Sequence, residues 1–169
     1  MKTQKLTRTA ATLAILVALQ FVTRSFGQLV TGSCVNVVLC VAALTLGIGS
    51  GLVIALLSPL LAWLVGVGPA FPALVPCIAL GNAVYVLLLC LKLDIKWRVP
   101  VASLVKMLTL RIVIGNFVAP LVVPAAKLTT VIAMFSWPQL LTALIGGALG
   151  AVVAERVKKT GKTGDGSLS

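Results

Sequence analysis

The chain has 169 residues, of which 60% are hydrophobic and 10% charged, and its mean hydropathy is +1.16. A soluble domain carries about 25% charged residues to hydrate its surface, so a water-facing globule is excluded and one membrane-embedded bundle is indicated. The net charge of +11, with no His and only Asp94, Glu155 and Asp165 acidic, would suggest nucleic acid in a soluble protein. Here the cations sit at the ends of apolar runs, as they do around membrane helices, and nucleic acid is not expected as a partner.

Those runs approach the ~20 residues that span a bilayer as helix, and six are predicted. The first covers about 6–24; it has a basic start but no A-x-A cleavage signal, so it reads as a retained helix. A polar stretch, Arg24 to Gly32, leads to the second helix at about 31–46. Gly47 to Gly51 reads as a flexible turn, and the third helix as about 52–65. Pro69, Pro72 and Pro76 break the next segment, and the fourth helix is expected at about 76–93 with Pro76 in its first turn. After the charged linker Lys92 to Arg98 comes the fifth helix, about 99–119. The apolar stretch 120–135, broken by Pro120 and Pro124, reads as a structured loop or short re-entrant piece packed on protein. Ser136 and Gln139 fit a capping box that opens the sixth helix, about 138–157. Residues 1–157 thus form one transmembrane domain, and the polar, Gly-rich residues 158–169 a disordered cytoplasmic tail.

Charge gives the expected orientation. With six helices both termini share a side, and Lys2, Lys5, Arg8, Lys92, Lys96, Arg98, Arg156, Lys158, Lys159 and Lys162 fall on it, against Arg24 and Lys127 opposite. The positive-inside rule then makes both termini cytoplasmic. Trp97 marks the inner interface, and Trp63 and Trp137 the outer one.

Orientation assigns depths to the polar residues. Gln20 and Arg24 end the first helix, Gln28 and Thr31 follow in the loop, and Asn36 lies about a turn into the second. Asn82 and Tyr85 share a face of the fourth helix, Asn116 lies in the outer half of the fifth, and Gln139 starts the sixth. Polar side chains from five helices therefore gather in the outer half, as a bundle builds a ligand site. Each Asn or Gln alone also fits interhelical hydrogen bonding, and Arg24 alone fits an interfacial anchor. Arg111, near the middle of the fifth helix and without an acid in the membrane to pair with, must face carbonyls, water or an anionic ligand. Lys106 lies nearer the cytoplasm, where its long stem can snorkel. An anionic or strongly hydrogen-bonding ligand contacted by Arg24 and Arg111 is the expectation. Arg111 and Asn116 lie roughly 140° apart around the helix, which leaves open whether they share a pocket.

Several chemistries have no support. No GxxxxGK[ST] motif is present for using ATP, and no intramembrane Asp, Glu or His to relay protons. No nucleophile–base pair suggests an enzyme, and no catalytic residue is assigned. Cys34, Cys40, Cys77 and Cys90 lie in apolar runs without a CxxC pair, so neither disulfides nor a metal site is indicated. No cofactor is expected.

On the first helix, Ala10, Ala14 and Ala18 form a small-xxx-small stripe that would let another helix approach. A similar run, Ala143, Gly147 and Ala151, marks the sixth helix and favours packing within the bundle. The six-helix plan, the alanine stripe, the polar first outer loop and the stretches Leu29 to Asn36, Gly49 to Gly51, Ser58-Pro59 and Pro76 to Ala83 resemble the S component of an energy-coupling factor (ECF) vitamin transporter. The resemblance spans about 6–157 and implies a bacterial plasma-membrane subunit that captures a vitamin-like substrate with high affinity from outside. It implies docking through Ala10, Ala14 and Ala18 on a membrane coupling protein driven by two ATPase subunits, with Gln20, Arg24, Gln28, Thr31, Asn36, Asn82, Tyr85, Arg111, Asn116 and Gln139 as the binding set. Metal-specific members use histidine and an N-terminal amine, which disfavours cobalt or nickel here. Two rivals remain open at this point: a ligand-free structural subunit of a cell-envelope complex, and a self-sufficient oligomeric transporter.

Overall fold

A computed structural model describes residues 2–165, with side chains for 3–160. The side chains of Lys2 and Lys162, and residues 166–169 of the tail, lie outside the described residues. The described chain is all helical, without strands. Its helices are α1 (Lys2–Thr23), α2 (Gln28–Thr45), α3 (Ile48–Leu64), α4 (Leu74–Leu89), α5 (Ile95–Ile112), α6 (Ala119–Val122), α7 (Ala125–Met134) and α8 (Trp137–Asp165). A π-helical turn, Val113–Val118, joins α5 to α6 so that Ile95–Val122 forms one rod. Six rods therefore alternate in direction, and α7 is a short extra helix between the last two.

Four segments are long and apolar enough to cross a membrane: Thr3–Phe26, Gln28–Thr45, Ile95–Val122 and Ala125–Thr160. α3 and α4 are equally apolar but shorter, at 17 and 16 residues. Large apolar side chains such as Leu56, Leu60, Leu104, Leu108 and Leu149 are exposed all round the bundle, as expected where lipid is the solvent. This is a multi-pass membrane protein.

Lipid removes the hydrophobic drive between helices, so close backbone approach takes its place. α8 lies against α2 along Gly146 and Gly150. A Cβ on Gly146 would stand 2.6 Å from the Ser33 carbonyl oxygen, and one on Gly150 2.8 Å from that of Val37. α1 packs on α3 through a buried hydrogen bond, Thr9 Oγ1 to Ser50 Oγ at 2.8 Å, and through Leu16, which is fully buried. Two apolar clusters divide the interior. One, around Leu39, Ile54, Tyr85, Leu89 and Ala102, fills the half toward the termini. The other, around Leu74, Leu110, Ile114 and Phe135, fills the opposite half. Thr9→Val keeps the shape but removes the Ser50 bond, and is expected to lower stability by about 1 kcal/mol or less, read as a small drop in melting temperature in detergent.

Several boundaries differ from the sequence expectation. The flexible turn before α3 reduces to Gly47, whose φ of 83° is in the left-handed region that favours glycine. Gly49 and Gly51 already belong to α3, and Gly51 lets α4 approach, since a Cβ there would meet Val86 Cγ1 at 2.8 Å. α2 begins at Gln28, so Gln28 and Thr31 lie on its first turns and not in a loop. The Pro-broken stretch 120–135 is mostly helix, because Pro120 sits in the first turn of α6, where no N–H is needed, and Pro124 caps α7. The capping box does not form. Ser136 Oγ donates to the Ile132 carbonyl at 2.9 Å, and Gln139 Nε2 reaches the Met134 carbonyl at 3.5 Å. α8 continues past residue 157, where the disordered tail was expected to start, as far as Asp165.

Candidate functional site: a lysine-floored cavity

A cavity of about 350 Å³ opens between α1, α2, α3, α4, α5, α7 and α8 in the half of the bundle away from the termini. Its floor is polar. Lys106, on α5, is 2% exposed and donates to Asn36 Oδ1 at 2.6 Å and Asn82 Oδ1 at 2.8 Å. It stands eleven residues above Ile95, roughly 16 Å at 1.5 Å per residue, near the middle of a ~30 Å hydrocarbon layer.

Each partner is set in place by its neighbours. Asn36 Nδ2 donates to the Gly32 carbonyl at 2.9 Å and to Thr142 Oγ1 at 3.4 Å, so its amide oxygen is the atom left to face Lys106. The lack of a side chain at Gly146 admits the Asn36 stem, since a Cβ there would stand 2.5 Å from Asn36 Cβ. Gly81 does the same between α4 and α5: a Cβ would meet Leu110 Cγ at 2.7 Å. That approach brings the adjacent Asn82 within reach of Lys106. The face of Tyr85 supports the ammonium from below, with its ring centre 5.1 Å from Nζ.

The walls are mostly apolar. Pro59 and Ala62 come from α3, Leu74 and Ile78 from α4, and Val131, Met134 and Phe135 from the α7 region. The segment 67–71, ending in Phe71, covers one side. Polar groups on the wall are Gln20, Gln28, Thr31 and Gln139. Gln20 Oε1 is buried and accepts no hydrogen bond from any described residue. Thr31 Oγ1 is already used, donating to the Thr23 carbonyl at 2.9 Å.

Of the ten residues singled out in the sequence, six line this cavity: Gln20, Gln28, Thr31, Asn36, Asn82 and Gln139. Four do not. Arg24 is exposed and stacks 4.3 Å over the Phe21 ring. Tyr85 is buried one layer below, its hydroxyl donating to the Ala143 carbonyl at 2.9 Å. Arg111 is exposed, and its guanidinium folds along the helix over Gly115, where a Cβ would collide with Nη1. It stands about 7 Å further along the rod than Lys106, on the lipid-facing side, where its long stem can carry the charge toward the surface. Asn116 is exposed in the π-helical turn. The intramembrane cation without an acid partner that faces inward is Lys106, and it does not snorkel.

A signal for Lys106 was present in the sequence. Val99, Ala102, Ser103, Lys106 and Leu110 recur at helical spacing, and all five are buried. Arg111 instead follows Leu104 and Leu108 and precedes Ile112, all exposed.

An all-helical, multi-pass bundle with a polar-floored cavity between its helices is suited to holding a small molecule. The profile of the family described as ECF transporter, substrate-specific component, matches residues 8–157. The chain belongs to that family and is therefore a substrate-binding subunit of a transporter, which takes a small molecule and works with the other components of the ECF module. No curated protein and no solved structure matches it.

Proposed function

We propose that the chain is the high-affinity capture subunit of an ATP-driven importer for a vitamin-like micronutrient, in the bacterial plasma membrane. The observation that carries this reading is the cavity itself, floored by Lys106, Asn36 and Asn82 in the half away from the termini. Both termini are cytoplasmic, because the ends of α1 and α8 and the α4–α5 linker carry most of the cations; the cavity then opens outward. Ala10, Ala14 and Ala18 are exposed on α1, while Thr9 and Leu16 turn inward. That face supports docking on a membrane coupling protein, whose two ATPase subunits supply the energy.

Native mass spectrometry of gently purified full-length protein tests capture: a retained small molecule, which also raises the melting temperature when added back, is expected. The affinity of that molecule should stay within about twofold in Arg24→Ala and Arg111→Ala, since neither side chain reaches the cavity. No retained molecule and no stabilisation by a vitamin panel would favour a structural subunit instead. Uptake into liposomes holding this chain alone would favour a self-sufficient transporter.

A further inference from the structure

We propose that Lys106 is the counter-ion for a singly charged carboxylate on the transported molecule, held on the cavity floor with Asn36 and Asn82. The inference rests on the capture reading and names the class of substrate within it.

The cavity floor leaves one donor of Lys106 without an oxygen acceptor, with only the Tyr85 ring face beneath it. An ammonium has three donors, and two are taken by the amide oxygens of Asn36 and Asn82. Neutral amides satisfy donors without cancelling charge, and a cation at this depth is costly without a counter-charge. The described residues provide none here. Asp94 is 3.7 Å from Lys96 and Glu155 is 2.7 Å from Lys159, both exposed pairs at the termini end, and Asp165 lies at the end of α8. Among the described residues, Lys106 is also the only charged one on the cavity wall. The missing negative charge therefore belongs to the ligand.

Its magnitude and chemistry follow. One positive charge with no second cation nearby balances a monoanion and leaves a phosphate monoester, near −2 at neutral pH, with uncompensated charge in a low-dielectric site. A carboxylate fits: one oxygen meets the third Lys106 donor. Above the floor, Phe71, Leu74, Ile78 and Phe135 suit an apolar or aromatic body. The unpartnered Gln20 Oε1 calls for a hydrogen-bond donor on that body, away from the carboxylate. The substrate class is a small amphipathic carboxylic acid with an N–H or O–H group.

The test uses full-length protein in nanodiscs and matched probes: nicotinate and nicotinamide, lipoate and lipoamide, biotin and biotinamide, pantothenate and pantothenol, with riboflavin and thiamine as a neutral and a cationic compound. Any molecule found by native mass spectrometry is added. A carboxylate is expected to bind on the order of 100-fold tighter than its neutral counterpart. Lys106→Gln should remove that preference, bringing the affinities of acid and neutral counterpart to within about threefold of each other, and Lys106→Arg should retain it in part. The acid–neutral preference of the wild-type protein decides the matter even where a variant does not fold. A ligand without a carboxylate, or one whose Kd is unchanged in Lys106→Gln, overturns this inference and leaves capture standing. If nothing is retained and nothing binds, capture fails, and the inference falls with it.

Discussion

Ala14→Trp is expected to reduce substrate uptake on the order of 100-fold in cells expressing the chain with its coupling module, while substrate affinity of the isolated protein stays within about twofold. The reason is geometric. Ala10, Ala14 and Ala18 follow one another at four-residue spacing, a rise of roughly 6 Å per step, and all are exposed. A neighbouring helix can close on such a face only while its side chains stay small. Tryptophan at Ala14 holds the partner away but touches neither the buried Thr9–Ser50 bond nor the cavity. The melting temperature should barely move, as for most exposed positions. Leu104→Trp, also on an exposed surface but on α5, serves as the control and should transport normally. Normal uptake by Ala14→Trp would remove the docking role from α1.

Gly146→Ala should be the most damaging single-methyl change in the bundle, costing about 3 kcal/mol, at the upper end of what overpacking does. The added Cβ would sit 2.5 Å from Asn36 Cβ, 2.6 Å from the Ser33 carbonyl oxygen and 2.9 Å from the Val37 nitrogen. Two of those three neighbours are backbone, which cannot rotate away, so α2 and α8 must part. Asn36 is displaced in the process, and Lys106 loses an acceptor. A fall in both melting temperature and ligand affinity is therefore expected. Gly49→Ala is the comparison, because a Cβ at Gly49 meets nothing within 4 Å; it should change stability by less than about 0.5 kcal/mol. Equal effects of the two substitutions would contradict the packing described for α2 and α8.

What could be read from the sequence was whatever depends on position along the helix. Hydropathy and the flanking cations marked the six long helical rods. The same reasoning gathered Gln20, Gln28, Thr31, Asn36, Asn82 and Gln139 at one level together with Arg24, Tyr85 and Asn116, and only the first six line the cavity. What could not be read so directly was direction around the helix axis, which packing decides. Arg111 and Lys106 differ by five residues, about 140° of rotation at 100° per residue; one faces the surface and the other the interior. The π-helical turn at Val113–Val118, which contains Asn116, changes the rotation again, and no local composition announces it. The capping box at Ser136 failed for a related reason: the Gln139 N–H goes to the Ser136 backbone carbonyl at 3.1 Å, and the Ser136 hydroxyl is turned to donate to Ile132 of α7.

The glycine contact between α2 and α8 also divides the bundle mechanically. Where backbone rests on backbone, as at Gly146 and Gly150, two helices have no side-chain rotamers with which to absorb a shift. The other flank is cushioned differently: Leu110, Ile114, Phe135 and Val131 meet there through side chains, and α7 has no buried residue of its own. The pair α2–α8 thus acts as a post carrying Asn36 and Gln139, and α7 is the wall held least firmly. A molecule entering or leaving would meet backbone-locked helices on one flank of its site and a short, side-chain-held helix on the other.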